Sequence, residues 1–176
     1  YDIVRRFEPV LERPIAEDAP PEALFTAPQS VLVFDHLTRS VALLHAGSET
    51  ERVTLRSKVI DLLRGPDPGP RRSGRVGSPT PTFEKDEFLR AVDQVKDHIH
   101  AGDVFQLVLS IRMEGVCELD PFEVYRALRL LNPSPYMVYM EWGDTAVVGS
   151  SPEALVRSDG STATLRPIAG TRPRGA

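Results

Sequence analysis

Apolar residues recur at helical spacing in three stretches of the chain. In residues 51–64 they fall at i, i+4, i+7 and i+8, which is one face of a helix that ends at Gly65. A second apolar face, with acidic residues in its first turn, precedes Gly102, a residue type suited to the left-handed conformation at a helix C-terminus. The two faces consist of Leu55, Val59, Leu62 and Leu63, and of Phe88, Val92, Val95 and Ile99.

The third helix begins at Asp120-Pro121, an acidic cap followed by proline at the first helical position. Its apolar face is formed by Val124, Leu128 and Leu131, and Asn132-Pro133 ends it. The sequence therefore predicts three helices in all.

Alternating apolar and polar positions predict strands. Residues 31–34 and 41–44 form a hairpin with His36 in the connection, and residues 104–114 form a long strand. One face of that strand is apolar, while the other carries Gln106, Ser110 and Arg112 at two-residue spacing, a pattern that fits either a cavity wall or a solvent-exposed face. Four further strands, at 136–142, 145–149, 153–157 and 162–168, predict an antiparallel meander with turns at Gly143-Asp144 and Asp159-Gly160. This order indicates an α+β fold rather than βαβ units.

Proline and glycine divide the chain. Residues 65–82 contain five prolines and four glycines, with Val76 as the single apolar side chain, so they are predicted to form a flexible linker. This gives an N-terminal region at 1–64, the linker at 65–82 and a second region at 83–176. The absence of an initiator Met at Tyr1 leads us to expect an internal fragment of a longer protein.

Composition excludes several classes of protein. A net charge of −4 argues against nucleic-acid binding, and no apolar run is long enough to cross a membrane, so a cytoplasmic protein is expected. The single cysteine, Cys117, excludes an internal disulfide and a cysteine-based zinc site. The sequence therefore points to a globular protein without a structural metal of that kind.

The most distinctive polar stretch lies near the C-terminus, in residues 167–175. Arg172 and Arg174 flank Pro173 there, and Gly170 and Thr171 offer an open main chain and a hydroxyl group. Arginine side chains and exposed amides are the donors that hold carboxylates in paired geometry. The stretch therefore fits a loop that binds a small carboxylate, although an exposed polar turn would have the same composition.

Four segments, taken together and in this order, resemble the chorismate-binding enzyme family: residues 101–110, 132–137, 149–153 and 167–175. The resemblance extends over nearly the whole chain except the linker. It implies two antiparallel sheets packed face to face with helices outside, incomplete in this chain. It also implies a reaction in which chorismate and ammonia give an aminated intermediate that loses pyruvate to form anthranilate.

The resemblance also implies site residues and partners. Gly170 and Thr171 would contact chorismate, Gln106 would orient it, and Pro135, Tyr136 and Met137 would form a pocket for tryptophan as feedback inhibitor. Mg²⁺ would act as cofactor and a glutamine amidotransferase subunit would supply ammonia. No residue of this chain is assigned as a metal ligand, and Glu153 is expected to have a structural role.

Two positions bear on the reaction class. Family members that add water to chorismate carry lysine at the place of Gln106, and those that make aminodeoxychorismate carry lysine at the place of Ala169. The chain has neither lysine, which favours direct attack by free ammonia. Aminodeoxychorismate synthesis, or an amino-acid-binding role without catalysis, remains the alternative.

Overall fold

A computed structural model describes residues 2–15, 19–70 and 73–166 of the chain. Contacts along the chain divide it into two compact units, Tyr1–Pro68 and Gly69–Ala176. The division falls within the segment predicted to be a linker, and each unit is described by itself.

The first unit contains an antiparallel hairpin and a helix. Strands β1 (Ser30–Asp35) and β2 (Ser40–His45) pair as predicted, with Ser30 opposite His45. The Asp35 carboxylate accepts hydrogen bonds from the main-chain amides of Leu37 and Thr38, which closes the turn that contains His36. Two short 3-10 helices, Asp2–Arg6 and Pro9–Leu11, lie in the segment before the hairpin.

Helix α1 (Glu49–Arg64) begins with a capping box. The Ser48 hydroxyl accepts a hydrogen bond from the Glu51 amide, while the Glu51 carboxylate accepts one from the Ser48 amide at 2.7 Å. These contacts satisfy amides that the first turn of a helix leaves unpaired. The predicted helix is therefore confirmed, with its N-terminus two residues earlier than the apolar pattern alone suggested.

The second unit begins with a ladder that corrects the linker prediction. Strands β3 (Thr80–Pro81) and β4 (Met113–Glu114) pair antiparallel, and Val76 bridges Cys117 in the same direction. Residues 75–82 are therefore paired rather than flexible. These residues have few apolar side chains to bury, but main-chain hydrogen bonds to residues 112–118 order them. Because the partners lie 30 or more residues away, the pairing leaves no pattern in the sequence of residues 75–82 themselves.

Close main-chain approach explains one glycine of this ladder. A Cβ atom at Gly74 would lie 2.7 Å from the carbonyl carbon of Glu118. Any side chain would push the two segments apart, so the glycine that suggested flexibility permits tight pairing instead.

Helix α2 (Lys85–Ala101) confirms the second predicted helix. Gly102 follows it with φ of 85°, and the Gly102 and Asp103 amides donate to the carbonyls of Ile99 and His98. The His98 ring and the Asp103 carboxylate lie 2.8 Å apart across this turn. The chain then leaves the helix in a fixed direction.

The long strand predicted for 104–114 is wrong over most of its length. Only Met113–Glu114 form a strand, while the preceding residues have no regular structure. Phe105 is fully exposed (100%) and Val108 is 80% exposed. An alternating pattern gives a strand only where a neighbouring strand takes its main-chain hydrogen bonds, and in the described part of the chain no neighbouring strand pairs with residues 104–112.

Helix α3 (Pro121–Leu131) lies against the hairpin formed by β5 (Tyr136–Trp142) and β6 (Thr145–Ser151). The Asp120 carboxylate caps the helix by accepting from the Phe122 amide at 2.8 Å, as predicted. The Phe122 and Tyr139 rings meet edge to face with centroids 5.2 Å apart. Leu131, predicted to be buried, is 84% exposed, because it lies on a different side of the helix from this contact.

Strands β7 (Val156–Ser158) and β8 (Ala163–Leu165) form the last hairpin, closed at Gly160 with φ of 93°. The described strands thus make four two-stranded antiparallel ladders accompanied by three α-helices. Within the described ranges no hydrophobic residue is fully buried. Half-buried apolar residues lie on all three helices and on the β1–β2 and β5–β6 hairpins.

Candidate functional site

Two of the segments singled out in the sequence meet at the base of the β5–β6 hairpin. The Ser150 hydroxyl donates to the main-chain carbonyl of Asn132 at 2.7 Å, and Met137 lies opposite Ser150 in the ladder. Residues 132–137 are therefore tied to residues 149–151. Small polar side chains at the end of β6 make this possible, because a serine hydroxyl reaches a carbonyl left unpaired at a helix C-terminus.

The chain after β6 turns sharply to present Glu153. The Ser151 hydroxyl donates to the main-chain carbonyl of Glu153 at 2.9 Å and lies 3.5 Å from the Glu153 amide. This turn is a local side-chain to main-chain motif of the kind that serine favours. It holds Glu153 beside the start of β5.

A cleft of about 640 Å³ opens at this place. One wall is formed by residues before and within β5, another by the turn after β6, and a third by one face of the β7–β8 hairpin. The lining residues are Pro135, Tyr136, Pro152, Glu153, Ala154, Arg157, Asp159, Thr162, Thr164 and Arg166. Apolar ring surface and charged groups thus border the same space, so the cleft offers a small molecule both kinds of contact.

Glu153 is the most unusual group in the cleft. The residue is half-buried, and its Oε1 atom is shielded from solvent with no hydrogen-bond partner in the described part of the chain. A shielded carboxylate oxygen without a donor is costly, so such groups are rare unless a ligand or a functional role accounts for them. Glu153 is therefore a candidate functional residue rather than only a structural one.

The wall contributed by β7 and β8 carries two cations. Arg157 pairs with Thr164 across the ladder, and Arg166 lies two residues beyond Thr164 on the same side of the strand. Diagonal neighbours of this kind are about 7 Å apart at their Cα atoms. Both arginines thus border one side of the cleft.

The other acidic residue of the cleft, Asp159, forms hydrogen bonds within the β7–β8 turn. The Asp159 carboxylate accepts hydrogen bonds from the amides of Thr162, at 2.8 Å, and Ser161, at 3.1 Å, and from the Ser161 hydroxyl. The Thr162 amide, followed by the Ser161 amide and hydroxyl, holds the pKa of Asp159 below its usual value of 3.8. This carboxylate therefore stays charged while it closes the turn.

The structure places the predicted site residues unequally. Pro135 and Tyr136 line the cleft, while Met137 is half-buried and lies on the opposite face of β5 because successive side chains in a strand alternate. Gln106 is exposed in the irregular stretch and does not line the cleft. Gly170 and Thr171 lie outside the described residues, as does Ala169.

The described residues do not form a complete Mg²⁺ site on their own. This ion is usually held by one or two carboxylates together with water and substrate oxygens. Among the described residues the cleft has the carboxylates of Glu153 and Asp159, and the second is committed to hydrogen bonds. Elsewhere in residues 2–15, 19–70 and 73–166 no group of three acidic, histidine or cysteine side chains is arranged for a metal. No helix of the described chain has the length and apolarity needed to cross a membrane.

Sequence reasoning missed Arg157, Arg166 and the role of Glu153. A signal for the two arginines existed, since Arg157 lies within β7 and Arg166 directly follows β8, two short strands joined by a recognisable turn. The signal for Glu153 did not exist at the level of sequence, because the isolation of Oε1 depends on how residues 151–154 fold back beside Tyr136.

Comparison with known proteins gives a consistent result. The family model for the chorismate binding enzyme matches residues 1–176. Anthranilate synthase component 1 of Thermus thermophilus is 42% identical over 179 residues, which cover 99% of this chain and 38% of that protein. Aminodeoxychorismate synthase component 1 of Bacillus subtilis is 33% identical over 99% of this chain and 39% of that protein.

The solved structures agree. The crystal structure of anthranilate synthase component I from Streptococcus pneumoniae superimposes with a TM-score of 0.77 at 29% identity, covering 92% of this chain and 39% of that one. The likeness confirms the predicted α+β fold with antiparallel sheets. The chain spans about two fifths of the length of these relatives. Because the family model covers the chain from end to end, the chain belongs to the family of chorismate binding enzymes.

Proposed function

We propose that this chain forms part of an anthranilate synthase large subunit, which converts chorismate and ammonia to anthranilate and pyruvate. The observation that carries the proposal is the 42% identity to a relative named anthranilate synthase component 1 over 99% of the chain. The cleft adds support, since it brings together two segments of the family pattern, at Pro135 and Tyr136 and at Glu153.

The reaction sets definite chemical requirements. Ammonia attacks C2 of chorismate, a C–N bond forms, the ring double bonds shift, and the hydroxyl at C4 leaves as water. In the second step the proton at C2 is removed, the bond from C3 to the enolpyruvyl oxygen breaks, and the ring becomes aromatic. The released enolate takes up a proton at its methylene carbon and becomes pyruvate. The protein must therefore deliver one proton to a poor leaving group and accept another.

Glu153 suits the first of these transfers. Glu153 borders the cleft, and its shielded Oε1 has no competing donor among the described residues, so we assign to this carboxyl group the transfer of a proton to the departing hydroxyl. A carboxylic acid held in a sheltered site is a common general acid. We propose this role in place of the structural one expected from the sequence.

The proposal also gives roles to Gly170, Thr171 and the Gln106 side chain. Gly170 and Thr171 contact chorismate, and Gln106, which cannot remove a proton at neutral pH, orients it by a hydrogen bond. The exposed position of Gln106 in the described chain requires residues 104–112 to gain a neighbouring strand before this contact can form.

Cofactor, regulation and partners follow from the proposed activity. Mg²⁺ would neutralise the substrate carboxylate, with its ligands outside the described residues of this chain. Tryptophan would bind at Pro135, Tyr136 and Met137 as feedback inhibitor, a glutamine amidotransferase subunit would supply ammonia, and the enzyme would work in the cytoplasm.

A second candidate is aminodeoxychorismate synthesis, favoured by the 33% identity to the Bacillus subtilis relative of that name. Family members with that activity carry lysine at the place of Ala169, where the amine can attack the ring covalently. Alanine has no nucleophile to offer. This position therefore favours the anthranilate route.

Product analysis distinguishes the two activities. The full-length protein should be supplied with chorismate, an ammonium salt and Mg²⁺, and its product identified by fluorescence and mass spectrometry. Anthranilate is expected, and Ala169→Lys should lose turnover because the longer side chain occupies the chorismate site. Ala127→Lys, at an exposed position of α3 outside the cleft, is the matched control and should keep wild-type turnover. Aminodeoxychorismate as the wild-type product would overturn the assignment.

A further inference from the structure

The cleft has a cationic wall that the proposed function leaves unexplained. Arg157 and Arg166 stand on one face of the β7–β8 hairpin, and Thr164 lies beside them on the same face. Each strand is only three residues long, so this face has no interior of its own to pack. Its side chains are available to a ligand.

Neither arginine is neutralised within the described chain. The ion pairs found there do not include Arg157 or Arg166. The carboxylate of Asp159, the nearest acid in sequence, accepts hydrogen bonds from the Ser161 and Thr162 amides instead. Two like charges placed diagonally on one face repel each other, and an anion between them removes that repulsion.

The geometry of the guanidinium group favours a carboxylate as the bound anion. Guanidinium groups bind carboxylates through two parallel N–H···O bonds, and threonine hydroxyls add single donors beside them. Thr162 and Thr164 supply such hydroxyls on the same wall. Opposite this wall lie Pro135, Tyr136 and Pro152, whose ring surfaces suit an unsaturated or aromatic ring.

We propose that Arg157 and Arg166 form a carboxylate-binding subsite for a ring-bearing carboxylate ligand of this cleft. The inference rests on the proposed function, since both chorismate and tryptophan have this chemistry: each carries a carboxylate close to a six-membered or indole ring. The subsite orients whichever of the two occupies the cleft, with the carboxylate on the arginines and the ring against Pro135 and Tyr136.

Binding measurements on the full-length protein test the subsite. Calorimetric titration with chorismate and with tryptophan should be carried out on wild type, Arg157→Gln and Arg166→Gln. Loss of a charge-assisted pair lowers affinity by about tenfold or more, so one of the two ligands should weaken by that factor in both variants. Arg157→Lys should recover only part of the affinity, because lysine keeps the charge but not the paired geometry.

Controls separate a carboxylate contact from a general loss of structure. Arg90→Gln changes an exposed arginine on α2, outside the cleft, and should leave both affinities unchanged. Tryptamine lacks the carboxylate, so if tryptophan is the occupant, tryptamine should bind the Gln variants as it binds wild type. If chorismate is the occupant, the variants should raise its KM and leave tryptophan inhibition alone.

Two failures can be told apart. Unchanged affinities for both ligands in folded Arg157→Gln and Arg166→Gln proteins overturn the subsite while the proposed function stands. A wild-type product other than anthranilate overturns the proposed function, while the titrations still decide whether the arginines hold a carboxylate.

Discussion

At the scale of single residues, Glu153 carries the most information. Its carboxylate lies where the turn after β6 meets Tyr136, with one oxygen shielded and unpartnered among the described residues. Buried polar atoms without a partner call for an explanation, and the proposed proton transfer to a leaving hydroxyl would provide one. The type and neighbours of this residue were visible in the sequence, but its isolation was not.

Glu153→Gln in the full-length enzyme tests this role. An amide cannot donate the proton, so kcat should fall by about a hundredfold or more, while the shape of the cleft is kept. Steady-state kinetics gives the answer, with Glu141→Gln, on β5 and outside the cleft, as matched control. A variant with wild-type kcat would return Glu153 to a structural role.

Met137 gives a second prediction at this scale. It lies on the face of β5 opposite Tyr136 and pairs with Ser150, so it can affect the proposed binding of tryptophan through the position of β5 without contacting a ligand in the cleft. Met137→Thr should raise the tryptophan concentration needed for inhibition and leave uninhibited turnover mostly intact. Inhibition depends on the coupling between the tryptophan site and the reaction site, whereas turnover without tryptophan does not. Met140→Thr, further along the same strand, serves as control. An unmoved inhibition curve counts against the pocket.

Asp159 gives a pH prediction. Because hydrogen bonds from the Thr162 and Ser161 amides lower its pKa in the folded state, the charged form stabilises the β7–β8 turn. That contribution is present above the usual pKa of 3.8 and is lost as the pH falls through the lower folded value. Carbon-13 NMR titration should show the Asp159 carboxyl titrating with a pKa below 3.8. Asp159→Asn keeps an acceptor but should abolish this pH dependence of the turn.

At the scale of elements, local signals decided where helices begin and end. Asp120 caps α3, Ser48 and Glu51 cap α1, and Gly102 ends α2 in the left-handed conformation. Capping depends on neighbours within a few residues, so a pattern read along the chain is sufficient. Strand pairing depends on distant residues instead. The predictions that were wrong are the strand at 104–112, the flexible linker over 75–82 and the continuous meander of four strands, because β6 and β7 do not pair in the described chain.

Gly102 allows a clean test of this account. No atom lies within 4 Å of the position that a Cβ would take, so a side chain there meets only the cost of φ at 85°. Gly102→Ala should destabilise the end of α2 by about 1 kcal/mol. Gly102→Asn should cost less, because asparagine tolerates this conformation better. Hydrogen exchange of the last-turn amides measures both, and equal protection in wild type and the Ala variant would contradict the argument.

At the scale of the whole molecule, exposure is the main feature. Large apolar side chains remain open to solvent in both units, among them Phe25 at 93% and Phe105 at 100%. Where such side chains adjoin one another, they mark places for further protein to pack. The chain spans 38% of the Thermus thermophilus relative, and additional strands of a longer protein would cover the faces that are open here.

Residues 1–176 produced alone should therefore behave differently from the full-length enzyme. We expect strong binding of a hydrophobic dye, concentration-dependent self-association, and no anthranilate from chorismate, ammonia and Mg²⁺, because the chain supplies only part of the proposed site. Light scattering and a fluorescence assay for anthranilate measure these properties. Turnover above background by the isolated chain would refute the expectation.

The sequence by itself determined the helices, the two well-marked hairpins and the family. Periodicity and capping depend on residues within one element. The four family segments are short, and their order along the chain can be recognised without knowing which residues they contact. Tertiary structure alone decided that residues 75–82 pair with 112–118, that Tyr136 lies at a cleft, and that Arg157, Arg166 and Glu153 border the same space. Those facts depend on contacts between residues distant in sequence, where pairing and burial are set by partners rather than by neighbours along the chain.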